Sequence, residues 1–245
     1  SIIVKINLFI SKLNLIVNAN KFIFSVKTID RIVYVVLIKL GVWDKELIAF
    51  VDRTVKKNMV VVDVGANIGV YTLMFSKLVG ERGSVISIEA DKDNYEILEN
   101  NISLNKCNNI SAYYTAIFSE VTEKKFIVNK IHKGDHRLIQ DKDKANEEAE
   151  YVLVKCSTLD SILQNNEIDI IKIDIQGGEL DALEGMKNVI GNSPNLMIIM
   201  EYDLSYAFDT QKRFEEFCQS NQFKVNKIEK NSLKKLFFCY LVRLI

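Results

Sequence analysis

The sequence predicts a doubly wound, Rossmann-like α/β fold, and three stretches carry that reading. Val60, Val61, Val62 and Val64 form a β-branched run that passes through a glycine turn into Val70, Leu73, Met74 and Leu78 at helical spacing. About twenty residues on, V-I-S-I-E-A reads as a second strand ending in Glu89. Further along, Ile168, Ile170, Ile171, Ile173 and Ile175 make a central strand that Lys172 and Asp174 interrupt. Apolar runs of this kind belong to a parallel sheet buried on both faces, where ligands bind beyond the carboxyl ends of the strands.

At 245 residues the chain has room for one α/β domain, assigned to 43–245, and an extension over 1–42. Thirty-two basic residues balance 32 acidic ones, so no global positive field exists to hold a polyanion, and nucleic acid is not an expected partner. Cys107, Cys156, Cys218 and Cys239 are scattered, without a C-x-x-C pair. That spacing suits buried thiols in a reducing, cytoplasmic setting rather than a zinc site or a disulfide framework.

Residues 1–40 are apolar but broken by Lys5, Lys12, Lys21, Lys27, Asp30, Arg31 and Lys39. The longest stretch without a charge or a polar amide, Ile32 to Ile38, falls far short of the ~18 residues of a spanning helix, so neither a transmembrane segment nor a signal peptide is expected. Ile3, Ile6, Ile10 and Leu13 keep helical spacing, which makes the extension helical in expectation. The first 29 residues carry four lysines and no acid. Peripheral contact with an anionic membrane, packing on the domain, and packing on a second copy in a homo-oligomer all remain open. Trp43 to Lys57 then reads as one helix with Leu47, Phe50, Val51 and Val55 on a face.

Two details bear on the ligand at the first turn. The spacing is G-x-x-x-G from Gly65 to Gly69, with Asn67 where a dinucleotide fingerprint needs its middle glycine. Asp63, two residues earlier, would repel a pyrophosphate and suits a cationic ligand. Glu89 stands where a carboxylate accepts hydrogen bonds from ribose hydroxyls. Together these residues resemble a class I S-adenosylmethionine-dependent methyltransferase. The resemblance implies a mostly parallel seven-stranded sheet with an antiparallel C-terminal strand, and S-adenosylmethionine as cofactor. It places Asp63 near the amino-acid end of that cofactor, Gly65, Ala66, Asn67 and Gly69 beneath it, and Tyr71 and Thr72 just beyond. Glu89, Ala90 and Asp91 then fall at the ribose. Asp91, Asp93 and Asn94 also suit capping of the next helix, where Tyr95, Leu98 and Ile102 share a face.

I-S-A-Y-Y-T-A-I-F-S-E reads as the next strand, running into Thr115 and Ala116. In this fold that loop borders the adenine, though plain turn chemistry accounts for the same residues. A strand over Lys124 to Val128 leads into the most polar part of the chain, which holds both histidines, His132 and His136. An excursion of this length is either a solvated loop or a lid over a substrate. His136 is a candidate base because its side chain titrates near neutrality. Tyr151 to Cys156 is another strand, and in S-T-L-D-S-I-L-Q Ser157 or Thr158 can cap a short helix whose first turn Asp160 favours.

The second motif is I-D-I-I-K-I-D-I-Q-G-G-E-L-D-A-L-E-G. Burying Lys172 or Asp174 alone would cost several kcal/mol, so each must meet a partner or a cavity. With D-V-G-A-N-I-G, the acid-ended second strand and T-L-D-S, this motif resembles the FkbM-type methyltransferases over roughly residues 43–203. Gly178 stands where that pattern more often has alanine. The resemblance implies methyl transfer to a hydroxyl, often on a sugar, glycolipid or secondary metabolite. Asp174 is the first candidate for the reacting site, as base or orienting acceptor, and His136 is the second. Glu179 and Glu201 are candidates for binding acceptor hydroxyls, and Lys172 for tuning Asp174. No spacing requires a metal.

A strand ending at Glu201, a helix with Phe208, Phe214 and Phe217, and a closing antiparallel hairpin complete the chain. Two rival readings stay in view. A nicotinamide-dependent oxidoreductase is disfavoured by Asp63 and the missing glycine. A non-catalytic scaffold of the same fold at a membrane surface would be expected to lack the cofactor residues.

Overall fold

A computed structural model describes residues 15–19, 22–26, 45–128, 137–139, 150–203, 208–228 and 236–243. Its centre is a seven-stranded sheet of β3 (Val60–Val64), β4 (Ser84–Glu89), β5 (Ile110–Tyr114), β10 (Ile170–Ile173), β11 (Met197–Asp203), β12 (Phe223–Lys227) and β13 (Leu236–Arg243). Across the sheet the order is β12-β13-β11-β10-β3-β4-β5. All pairings are parallel except those of β13, which inserts antiparallel between β11 and β12. The chain winds outward from β3 through β4 to β5, then returns to the other side of β3 as β10. That reversal opens a crevice at the carboxyl ends of β3 and β10.

Alternation along the strands explains why their sequences are apolar throughout. Val61 and Ile170 pack on one face with Leu47, Phe50 and Val51 of helix α1 (Lys45–Thr54) and Tyr71 and Phe75 of α2 (Val70–Val79). Val62, Val64, Ile171 and Ile173 pack on the other with Leu159 and Leu163 of α4 (Leu159–Leu163), Leu183 of α5 (Glu179–Glu184), Val189 of α6 (Lys187–Asn192) and Phe214 of α7 (Phe208–Ser220). Each such side chain, fully buried, contributes roughly 1.5–3 kcal/mol.

The helix after β4, α3 (Lys92–Leu104), buries Asn94, Ile97, Leu98 and Asn101, so its inner face is turned from the Tyr95, Leu98 and Ile102 stripe expected from spacing. Its buried amides do work that apolar periodicity cannot register. The expected helical extension is corrected here: residues Leu15–Ala19 and Phe22–Val26 are antiparallel strands, β1 and β2. Asn101 Oδ1 accepts the Ser25 amide at 2.7 Å, and Asn105 Oδ1 accepts that of Ile23 at 2.9 Å while its Nδ2 donates to the Ile23 carbonyl. These side chains supply the partners a neighbouring strand would give. Phe22, Phe24 and Val26 bury themselves against Ile68, Val70, Leu73 and Ile97. Ile3, Ile6, Ile10 and Leu13 lie outside the described residues. Among the described residues no helix is long and apolar enough to cross a membrane.

The single strand expected through Thr115 is divided. After β5 the chain breaks at Thr115, and β6 (Ala116–Ile117) joins a second sheet with β7 (Thr122–Val128), β8 (Arg137–Leu138) and β9 (Glu150–Ser157), in the order β6-β9-β7-β8. Ala116, Phe126, Val154 and Cys156 form its core. Thr158 caps α4 by accepting the Ser161 amide, as expected. Asp160 stands in the first turn of α4, as expected, and also accepts the Asn188 and Val189 amides at 3.0 and 2.9 Å, satisfying the start of α6.

Candidate active site

At the end of β3 the backbone turns through Gly65, whose φ of 76° lies in the left-handed region. The Gly65 and Ala66 amides both donate to the Ile88 carbonyl at 3.0 Å, which ties the turn to β4. A Cβ on Gly65 would stand 1.9 Å from the Asp174 carbonyl oxygen, so glycine is required by the approach of β10 as well as by φ. Gly69 then caps α2 with φ 91°.

Glu89 is 7% exposed, and both of its oxygens are oriented: the Asn67 amide donates to one at 2.7 Å and the Asp91 amide to the other at 2.8 Å. Asp91 itself caps α3, accepting the Asn94 amide at 2.8 Å. Thr115 donates its amide to the Glu89 carbonyl, and its hydroxyl lies 3.0 Å from the Lys155 carbonyl of the second sheet.

Beneath the turn lies a buried charge cluster. Lys172 and Asp63 face each other across the β3–β10 register, 2% and 0% exposed, with Nζ 3.4 Å from Asp63 Oδ1. The same ammonium is 3.5 Å from Asp174 Oδ2 and 4.9 Å from the centre of the Tyr71 ring. The Thr72 hydroxyl donates to Asp63 Oδ2 at 2.6 Å. Thus the two charges that interrupt the β10 sequence do find partners, as the cost of burying them demanded. Asp174, one quarter exposed, emerges at the strand end, where Gln176 Nε2 donates to its Oδ1 at 3.0 Å. Glu179 is buried and accepts the Ile175 and Gly177 amides on Oε1, at 3.2 and 3.1 Å. Burial pushes its carboxyl above the usual 4.5, against the lowering effect of these amides.

An open cleft lies at these strand ends. Of the residues expected at a site, Gly65, Asn67, Glu89, Ala90, Thr115, Ala116 and Asp174 line it. Asp63, Tyr71, Thr72 and Glu179 do not; they are buried behind the lining and hold it in place, and Ala66, Gly69 and Asp91 shape the backbone around it. His136 and His132 lie outside the described residues. The cleft also has walls that sequence reasoning did not assign to it: Asn94, Ile117, Phe126, Arg137, Leu138, Ile175 and Gln176. Asn94 suits a cap by its place at the opening of the helix, Gln176 belongs to the second motif without a role of its own, and Arg137 lies in the polar stretch that follows Val128. Phe126 and Leu138 belong to the second sheet, whose position no local pattern signals. Burial pushes Cys218 up to about 11 and Cys239 to about 12, so neither thiol is a ready nucleophile near neutrality.

The sequence profile of the methyltransferase FkbM domain matches residues 63–225. No curated protein matches the chain. Among solved structures, a methyltransferase FkbM from Methylobacillus flagellatus KT is similar with a TM-score of 0.53 and 16% identity, covering 76% of this chain and 44% of that one. This chain therefore matches less than half of that protein. A candidate O-methyltransferase from Klebsiella pneumoniae aligns with a TM-score of 0.51 and 13% identity over 82% of this chain and 81% of that one. A candidate rRNA methylase from Clostridium thermocellum aligns with a TM-score of 0.52 and 10% identity over 82% and 95%. At these identities the likeness carries the fold alone, and the acceptors named in these proteins differ.

Proposed function

Because the chain belongs to the FkbM methyltransferase family, with S-adenosylmethionine as its cofactor, we propose that it methylates a hydroxyl oxygen on a sugar, glycolipid or secondary metabolite. The observation that supports this most is the meeting of two carboxylates of different character in one cleft: Glu89, oriented by two amides, and Asp174, partly exposed at the end of β10.

The residues present fit the cofactor. Glu89 offers acceptor oxygens of the kind ribose hydroxyls need, and Ile88, Ala116, Ile117 and Phe126 give an apolar wall suited to a flat base. Anionic Asp63 and Asp174 outnumber Lys172 in the buried cluster, which favours a positively charged ligand nearby. When bound, the cofactor supplies an electrophilic methyl group on a sulfonium. The chain contributes position and a proton acceptor. Asp174 is assigned to take the hydroxyl proton of the acceptor or to orient that hydroxyl, with the Lys172 ammonium 3.5 Å from its Oδ2. Asn67 and Glu89 hold the cofactor side of the cleft, and Asp63 anchors Thr72 and Lys172 behind it.

The test has two parts. Calorimetric titration with S-adenosylmethionine, and separately with NADH, is expected to give micromolar binding of the first only, lost in Asp63→Ala and Glu89→Ala; binding of NADH alone would overturn the reading. Next, isotope-labelled cofactor is incubated with methyl glycosides, glycolipids, polyketide alcohols and matched amines. Label on an oxygen supports hydroxyl methylation, and label on nitrogen alone refutes it. Full turnover by Asp174→Asn would remove Asp174 as base, with His136→Ala as the comparison.

A further inference from the structure

Gln176 occupies a conformation that L side chains rarely adopt, with φ 56°, between Ile175 and Gly177 (φ 101°). Two anchors hold it there. Glu179 accepts the amides on either side of it, and the Gln176 side chain reaches back so that Nε2 lies 3.0 Å from Asp174 Oδ1 and 3.3 Å from Glu201 Oε2. Lys106, Gln164 and Gln222 also have positive φ but stand just past helix ends, whereas Gln176 lines the cleft with its amide between two carboxylates, and that placement points to a role for the side chain.

We propose that Gln176 is a positioning residue: its carboxamide bridges Asp174 and Glu201 and fixes the Asp174 carboxylate in the orientation used for methyl transfer. This rests on the assignment of Asp174 as the reacting carboxylate. The chemistry suits an amide. An NH2 group has two donors, enough for both carboxylates, and it is neutral. It therefore holds Asp174 without adding a second positive charge to that of Lys172. Asp174 is then gripped on both oxygens, by the Lys172 ammonium on Oδ2 and by the Gln176 amide on Oδ1. Neither grip occupies every lone pair, so a face of the carboxylate remains for a hydroxyl.

Gln176→Gly and Gln176→Glu separate the side chain from the backbone. Glycine suits the positive φ but has no amide. The Gln176→Gly protein is expected to melt at or above the wild-type temperature. In its crystal structure with S-adenosylhomocysteine, the Asp174 and Glu201 carboxylates are expected to have turned from their wild-type positions. With the acceptor that the wild type methylates in the panel, kcat is expected to fall about 10- to 100-fold while the cofactor KM is kept. A carboxylate in place of the amide repels its two neighbours, whereas its protonated form regains one donor. The kcat ratio of Gln176→Glu to wild type is therefore expected to rise as pH falls. Wild-type carboxylate positions in the Gln176→Gly structure, undiminished kcat in that variant, or a ratio independent of pH would each overturn the proposal. If those results came with an inactive Asp174→Asn protein, the role of Asp174 would stand and that of Gln176 alone would fall. An active Asp174→Asn protein would remove the underlying reading instead.

Discussion

Lys172→Met removes the ammonium that Asp63 and Asp174 share while leaving an unbranched chain to fill its space. The cost follows from which acid is left behind. Asp63 is fully buried and 3.4 Å from Nζ, so it loses its counter-charge with no water to replace it. Asp174 is a quarter exposed, and water compensates part of its loss. Breaking a buried pair by removing one partner costs about 3–5 kcal/mol, and the Asp63 contact supplies most of that here. For a domain of this size each kcal/mol lowers Tm by about 2–4 °C, so a fall of roughly 6–20 °C is expected. Asp63→Asn alone should cost less, because the amide oxygen still accepts the Thr72 hydroxyl and Lys172 keeps Asp174. The double variant should then be more stable than the sum of the single losses predicts, by about 1–3 kcal/mol of coupling. Urea unfolding of the four proteins closes this cycle. Losses that add to within ~0.5 kcal/mol would mean that the 3.4 Å pairing contributes nothing of its own, and the argument would be refuted.

Three further outcomes can be checked with the same preparations. Gly65 and Gly69 both have positive φ, but a Cβ on Gly65 overlaps the Asp174 backbone, whereas on Gly69 the obstacle is the end of the Leu98 side chain at 2.6 Å; Gly65→Ala should lose at least about 2 kcal/mol more than Gly69→Ala in thermal melts, and equal losses would contradict the geometry. Glu179→Gln keeps an acceptor for the Ile175 and Gly177 amides but cannot ionise. Because burial raises the Glu179 carboxyl, its contribution to stability is fully present below the unfolded-state value and is lost as pH rises through the higher folded-state one; the variant should therefore gain on wild type as pH increases, and a pH-independent difference would count against the raised value. Asn101→Ala leaves the Ser25 amide and the Ile68 carbonyl without their buried partner, at a cost of about 2–4 kcal/mol, and should speed hydrogen exchange at Ser25 while exchange in β10 lags behind; uniform acceleration would show that β2 is not separately anchored.

How far the chain could be read in advance differs from residue to residue. Gly65 is legible because a turn from strand to helix asks for a missing Cβ, yet the particular neighbour that forbids one, the Asp174 carbonyl, comes from more than a hundred positions away. Asp91 carried two readings at once, and its bond to the Asn94 amide establishes the cap. The helical expectation for the extension rests on the spacing of Ile3, Ile6, Ile10 and Leu13, none of which lies in β1 or β2, and a rule that weighs apolar period is blind to the partners that Asn101 and Asn105 offer those strands from another element.

Local chemistry was enough to determine that β3 turns through glycine into α2, that β4 ends in an acid, that β10 carries a lysine and an aspartate needing partners, and hence that the fold is α/β with a site at its strand ends. Those features depend on residues within one or two turns of each other. Tertiary structure alone decided that Lys172 meets Asp63 across a separation of 109 residues, that Glu89 and Asp174 face one cleft, and that a second sheet brings Phe126 and Arg137 to its wall. Those are consequences of strand pairing and register, and pairing energy is shared between segments whose sequences are each compatible with many neighbours.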